Sequence, residues 1–343
     1  MPDRADVVVF GDSQTYGMGI DLELLWPQQF ARASGRDVYA MSFPGWGPVH
    51  YLILWDRAAR LRPRVIVEAF YSGNDLYDAF HSVYDIGQFP DLKTRDHEQA
   101  RMLAEAEQIE PYSHVVGRHF RLALGPREPK SETRGPLGEL ARTCASHIRL
   151  FGAVYKACAI VPSMLQPREK PDWGTICADA QARGDDLWPF EHDGTRTVLT
   201  PAYRMAALNL SDPRIREGHQ VSLRTFSRKQ DRASRAGAEF VVLLIPTKEL
   251  AFKDAVERGL SGIPSTYVEL IRFEERMWED TKGYLDQQGI VYVDALPALR
   301  ACVSGDSPAY PMSTDGHPTA AGHRAIAESL SRELSRLGLL PAP

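Results

Sequence analysis

The segment Gly11-Asp12-Ser13-Gln14 places a serine directly after the apolar run Val7-Val8-Val9-Phe10. A β-branched run of that length reads as a buried strand, and Gly-Asp-Ser after it as a tight turn. The hydroxyl then falls at the carboxyl edge of a sheet, where open α/β folds bind their ligands. Serine alone is a weak nucleophile. It needs a base, a carboxylate that orients the base, and donors for the oxyanion. Candidates lie downstream in Gly45, in Ser72-Gly73-Asn74-Asp75 and in Asp315-Gly316-His317-Pro318.

His317 is the candidate base, because a neutral imidazole takes a serine proton when its other nitrogen donates to a fixed acceptor. Asp315, two residues earlier, suits that acceptor role. His323 falls inside the next helix and is the poorer candidate. Ser13 as an ordinary turn or capping serine, and His317 as a satisfied histidine at a helix start, are the competing readings. Thr15 stands where the last glycine of a G-x-S-x-G elbow would be, which argues against an α/β-hydrolase fold.

In their order along the chain, these blocks resemble those of the SGNH (GDSL) hydrolase family. The resemblance covers about residues 5–80 and 219–335. It implies a flavodoxin-like, three-layer α/β/α fold and a serine triad of Ser13, His317 and Asp315. It also implies an oxyanion hole made by the backbone N–H groups of Ser13 and Gly45 and the side-chain amide of Asn74. Gly47 competes with Gly45 for that role, and Asn74-Asp75 could be a plain turn. The chain departs from the commonest family pattern, in which aspartate precedes histidine by three residues; Thr314 occupies that place. The D-x-H spacing is similar to that of the branch containing alginate O-acetylating proteins, although their motifs come in another order. Pro246-Thr247-Lys248-Glu249, after a strong apolar run, also resembles that membrane-anchored, extracytoplasmic branch.

The elements that must position these residues alternate strand and helix. Trp26-Pro27 opens a helix that suits an end at Gly35, and Asp37 to Ser42 reads as a second strand. A helix after Pro48 stops before Pro63, and Arg64 to Tyr71 forms a third strand delivering Asn74. Glu239 to Pro246 is the strongest strand and is expected to be central and parallel. Thr266-Tyr267-Val268-Glu269 fits a capping box, Ile290 to Asp294 makes a fifth strand, and Pro318 begins a final helix. The expectation is a mostly parallel five-stranded sheet with helices on both faces, forming a single domain over 1–343. Residues 81–218 break the rhythm and read as a long insertion, either a decoration on one edge of the sheet or, the favoured reading, a cap over the active site.

Composition sets outer bounds. With 43% apolar residues, 25% charged residues and a net charge of −5, the chain is an ordinary globular one with no basic run for nucleic acid. The most apolar stretch, Ile148 to Leu165, contains Arg149, Lys156 and Pro162 and reads as a packed helix, not a membrane span. Cys144, Cys158, Cys177 and Cys302 lack metal-ligand spacing, so neither zinc nor another cofactor is implied. Free thiols or one disulfide in the middle region both fit. As written, the chain starts without a signal peptide and reads as cytoplasmic, or as extracytoplasmic if an anchor precedes it.

Together these features predict a serine esterase that removes a short acyl group, such as acetyl, from a carbohydrate ester. Trp173, Trp188 and Tyr203 are the candidate sugar-stacking residues. An O-acetyltransferase using the same triad is one alternative, and an inactive glycan-binding module on the same scaffold is another.

Overall fold

The computed structural model describes residues 2–117, 172–182, 187–259 and 262–340. Ile148 to Leu165, Cys144 and Cys158 lie outside the described residues. Five strands make one sheet: β1 (Val7–Gly11), β2 (Val38–Ser42), β3 (Val65–Tyr71), β6 (Glu239–Ile245) and β7 (Val291–Asp294). Their order is β2-β1-β3-β6-β7, and every pairing is parallel. β1 and β3 are buried along their whole length, as continuous Val/Ile/Phe runs require when helices cover both faces. The strand order reverses between β2-β1 and β1-β3, so the carboxyl ends of β1 and β3 flank the crevice where such sheets bind ligands.

The helices behave as amphipathic covers. Trp26–Ser34 starts with proline at its first turn and ends at Gly35 in the left-handed region, φ 63°. It packs against the last helix, Ala320–Arg336, while Pro213–Ala236 packs against Asp75–Phe80 and Pro48–Arg60. Beneath Pro213–Ala236 the buried Lys229 pairs with Glu68 of β3 and donates to the Pro48 carbonyl at 3.0 Å.

Three boundaries differ from the sequence expectation. The long helix after β6 begins at Ser265, behind Pro264, so Thr266 lies inside it and caps nothing. The final helix begins at Ala320, because the Thr319 hydroxyl accepts the Gly322 N–H and Pro318 precedes the cap. The helix Pro213–Ala236 starts ahead of residue 219, with Asp212 as its cap. The region between Phe80 and that helix contains a helix, His97–Ile109, a second helix, Trp173–Ala182, and the hairpin β4 (Trp188–His192)/β5 (Thr195–Leu199). A short helix, Pro201–Leu208, follows.

Candidate active site

Ser13 opens the short helix Ser13–Tyr16 directly at the end of β1. Two local features fix that turn. The Asp12 carboxylate accepts the Gln14 N–H at 2.9 Å, and a Cβ on Gly11 would collide with the Thr15 hydroxyl. The Ser13 hydroxyl lies 2.9 Å from His317 Nε2. His317 Nδ1 is 2.6 Å from Asp315 Oδ1, and the same oxygen accepts the His317 backbone N–H at 3.0 Å. Burial pushes the Asp315 carboxyl up, but the His317 side-chain and backbone hydrogen bonds, with help from Lys248, bring it below its ordinary range. An ionised Asp315 holds the proton on Nδ1 and leaves Nε2 as the acceptor for Ser13.

Gly45 belongs to the turn Phe43-Pro44-Gly45-Trp46, closed by Trp46 N–H donating to Phe43 O at 3.1 Å. Proline at the second position and glycine at φ 80° in the third are the signature of a type II turn. Trp46 makes the closing bond, so the Gly45 N–H stays outside it. Phe43 N–H donates to Gly11 O at 3.2 Å, tying the turn to the end of β1. The Gly47 N–H is engaged elsewhere and donates to His50 Nδ1 at 3.1 Å as the next helix begins.

Asn74 caps the helix Asp75–Phe80 at the carboxyl end of β3, and its amide donates to Asp78 Oδ2 at 2.6 Å. The amide therefore sits between two acidic side chains, bonded to Asp78 and also within hydrogen-bonding reach of Asp12. Asp75 accepts the Tyr71 N–H at 2.9 Å, so Asp12 and Asp75 both brace turns, as their positions suggest. The three carboxyls crowd one another. Desolvation raises Asp12 to about 6 and Asp78 to about 8, and raises Asp75 well above its ordinary value. His323 is buried, accepts the Trp26 N–H at 3.2 Å and is driven to about 4 by desolvation, so it serves the packing of two helices.

Sequence reasoning misses the support beneath the Asp-Gly-His turn. Lys248 is fully buried, and its ammonium donates to the carbonyls of Val198, Ser313 and Asp315 at 2.7, 2.8 and 3.1 Å. Burial lowers it to about 8, against the pull of Glu249 and Asp315. Glu249 accepts the Thr200 N–H at 2.8 Å and lies 3.5 Å from Arg204 Nε. A Cβ on Gly316 would strike the Arg204 guanidinium, so the glycine lets that side chain pack against the turn. Thr197 of β5 donates to the Pro311 carbonyl at 3.0 Å. The segment 195–204 therefore abuts the loop that carries Asp315 and His317. The pair Lys248-Glu249 after β6, which is the fourth strand of the sheet and not its central one, is the sequence signal for this support. Asp78 also escapes notice in the sequence, although it sits one helical turn beyond Asn74.

Of the expected stacking residues, Tyr203 lies on that supporting segment, whereas Trp173 and Trp188 lie in the preceding helix and in β4. Trp173 donates from its indole to Glu191 at 2.7 Å. Trp188 packs edge-on against Tyr267, ring centroids 5.1 Å apart. Tyr203 lies under the Arg204 guanidinium at 4.9 Å. The partners of the Trp173 indole and the Trp188 ring are thus Glu191, Phe190 and Tyr267. Among the described residues, Cys177 and Cys302 are free thiols and no group of three metal-ligating side chains occurs. No described helix is long and apolar enough to cross a membrane.

No family model matches the chain, and no curated protein matches it. Its structural neighbours include GDSL-type lipolytic proteins and acetylxylan esterases. A catalytic mutant of an acetylxylan esterase from Geobacillus stearothermophilus aligns over 97% of this chain and 95% of its own, with 9% identity and a TM-score of 0.42. A GDSL-like lipase from Bacteroides thetaiotaomicron aligns over 96% and 88%, with 9% identity and a TM-score of 0.37. A carbohydrate esterase family 2 enzyme from Corynascus thermopiles aligns over 98% and 67%, with 12% identity and a TM-score of 0.38.

Proposed function

We propose that this protein is a serine carboxylic ester hydrolase that removes a short acyl group, such as acetyl, from a carbohydrate. The observation that carries the reading is the unbroken chain from Ser13 Oγ through His317 to Asp315 at the crevice of the sheet. His317 takes the hydroxyl proton as Oγ bonds to the ester carbonyl carbon. The Ser13 and Gly45 N–H groups and the Asn74 amide receive the oxyanion. Collapse of the tetrahedral intermediate breaks the ester C–O bond, and His317 returns the proton to the departing sugar hydroxyl. Water then gives a proton to His317, attacks the acyl-Ser13 carbonyl and releases the acid, restoring the serine.

In this reading the chain is a single domain, and residues 195–204 of the 81–218 insertion support one wall of the site. Transfer of the acyl group to a second sugar hydroxyl uses the same intermediate. The Asp-x-His spacing favours keeping that reaction as the second reading. Hydrolysis of p-nitrophenyl acetate, with and without an added oligosaccharide, tests both. Turnover is expected for the native protein and is expected to vanish in Ser13→Ala and His317→Ala. Undiminished turnover in Ser13→Ala would overturn the assignment, and acetylated oligosaccharide formed faster than acetate would favour transfer.

A further inference from the structure

A run of rings leads away from the nucleophile. Tyr16 ends the helix that Ser13 begins, and its ring meets Phe43 edge-on with centroids 6.0 Å apart. Phe43 lies 5.5 Å from Trp46, tilted by 41°, and Trp46 stacks on His50 at 6.3 Å with the planes 8° apart. Phe43 and Trp46 are the outer residues of the turn that presents Gly45. Tyr16 is 48% exposed and Phe43 is 53% exposed. Large rings left in water beside a reactive hydroxyl mark a surface kept for a ligand.

The polar ends of the run decide which ligand. His50 Nδ1 accepts the Gly47 N–H, and burial holds the ring below its ordinary value, so it is neutral with its proton on Nε2. That N–H donor sits beside the Trp46 face, and the Tyr16 hydroxyl sits at the other end of the run. An alkyl chain would leave the N–H without a partner, a cost that grows as water is displaced. A pyranose has an apolar C–H face rimmed by hydroxyls and satisfies both. None of the four rungs carries a charge, so a neutral sugar fits better than a uronate.

We propose that Tyr16, Phe43, Trp46 and His50 form a platform for successive residues of a neutral pyranose oligosaccharide, holding the alcohol side of the ester. This deepens the hydrolase reading and rests on it for its role in turnover. Binding itself can be measured without chemistry. Calorimetric titration of Ser13→Ala with xylotetraose, cellotetraose and chitotetraose is expected to show saturable binding to at least one, stronger than to the corresponding disaccharide. Adding Trp46→Ala or Phe43→Ala should weaken it about tenfold, the scale of one lost ring contact. Failure of all three sugars to bind, equal affinity in the ring variants, or tighter binding of octanoate or a tetrauronate would overturn the platform. Failure of the hydrolase reading would appear separately, as native protein that binds the sugar and turns over no ester.

Discussion

At the scale of single residues, groups that move protons are distinct from groups that hold others in place. Asp315 lies 2.6 Å from His317 Nδ1, and in the proposed mechanism it orients that ring and balances the imidazolium formed as Ser13 is deprotonated. Asp315→Asn should lower kcat by about 10⁴, measured by steady-state ester hydrolysis, because the wrong tautomer is then favoured. Asn74 meets charge that develops only in the transition state, so Asn74→Ala should lower kcat by roughly 10²–10³ with KM little changed. Asp78 accepts from the Asn74 amide and is one step removed from the proposed oxyanion. Asp78→Ala should therefore cost less, about tenfold, and a cost equal to that of Asn74→Ala would place Asp78 in the oxyanion site itself.

The residues named by motif and those found only in three dimensions differ in how local their chemistry is. Ser13, Asn74, Asp315 and His317 sit at strand ends or in turns, where neighbouring residue types reveal the geometry. Asp315 and His317 come together through a two-residue turn, legible from spacing alone. Lys248 and Arg204 act across 67 and 112 positions, on the Asp315 carbonyl and beside Gly316, and only the adjoining Lys248-Glu249 pair hints at this locally. The aromatic run is likewise hidden, because Tyr16 meets Phe43 only after β1 pairs with β2.

At the scale of elements, the catalytic loop is held from below. The residues from Pro308 to Thr319 lie between the end of β6 and the β4–β5 hairpin, and Lys248 bonds carbonyls from both sides. Removing that ammonium frees the loop without touching the reacting atoms. Lys248→Met should keep the fold by circular dichroism and lower kcat by about 10², the cost of displacing a catalytic group by about an ångström. It should also weaken the downfield proton resonance of the His317–Asp315 bond. An unchanged resonance with full activity would reduce Lys248 to a packing role. Element boundaries are the least legible part of this scale. Thr266 and Pro318 carry the right residue types for helix starts, but Pro264 and Thr319 set the starts instead.

Across the whole molecule, several buried carboxyls are held above their ordinary range. Desolvation places Glu68 and Glu274 at about 7 and Asp78 at about 8. Each folded value exceeds the unfolded one, so the folded state holds extra protons and loses stability as pH rises toward these values. His219 and His323, both lowered to about 4, act the opposite way, but only between about 4 and 6.5. Between pH 6.5 and 8 the carboxyls act unopposed by these histidines. Urea unfolding should show stability falling by on the order of 2 kcal/mol across that window, and Asp78→Asn should flatten the fall. Stability that stays level or rises from pH 6.5 to 8 would mean these groups are ionised in the folded protein. The parallel sheet itself is plain from the apolar runs of β1, β3 and β6, whereas the buried charges inside it are not, because Glu68 and Lys229 lie 161 positions apart.

All of these activity expectations depend on Ser13 being the nucleophile. Reaction of the native protein with a fluorophosphonate, followed by intact-mass analysis and peptide sequencing, tests this directly. A single adduct on Ser13 is expected, absent in Ser13→Ala and strongly slowed in His317→Ala. An adduct on another serine, with Ser13→Ala labelled as fast as the native protein, would contradict it.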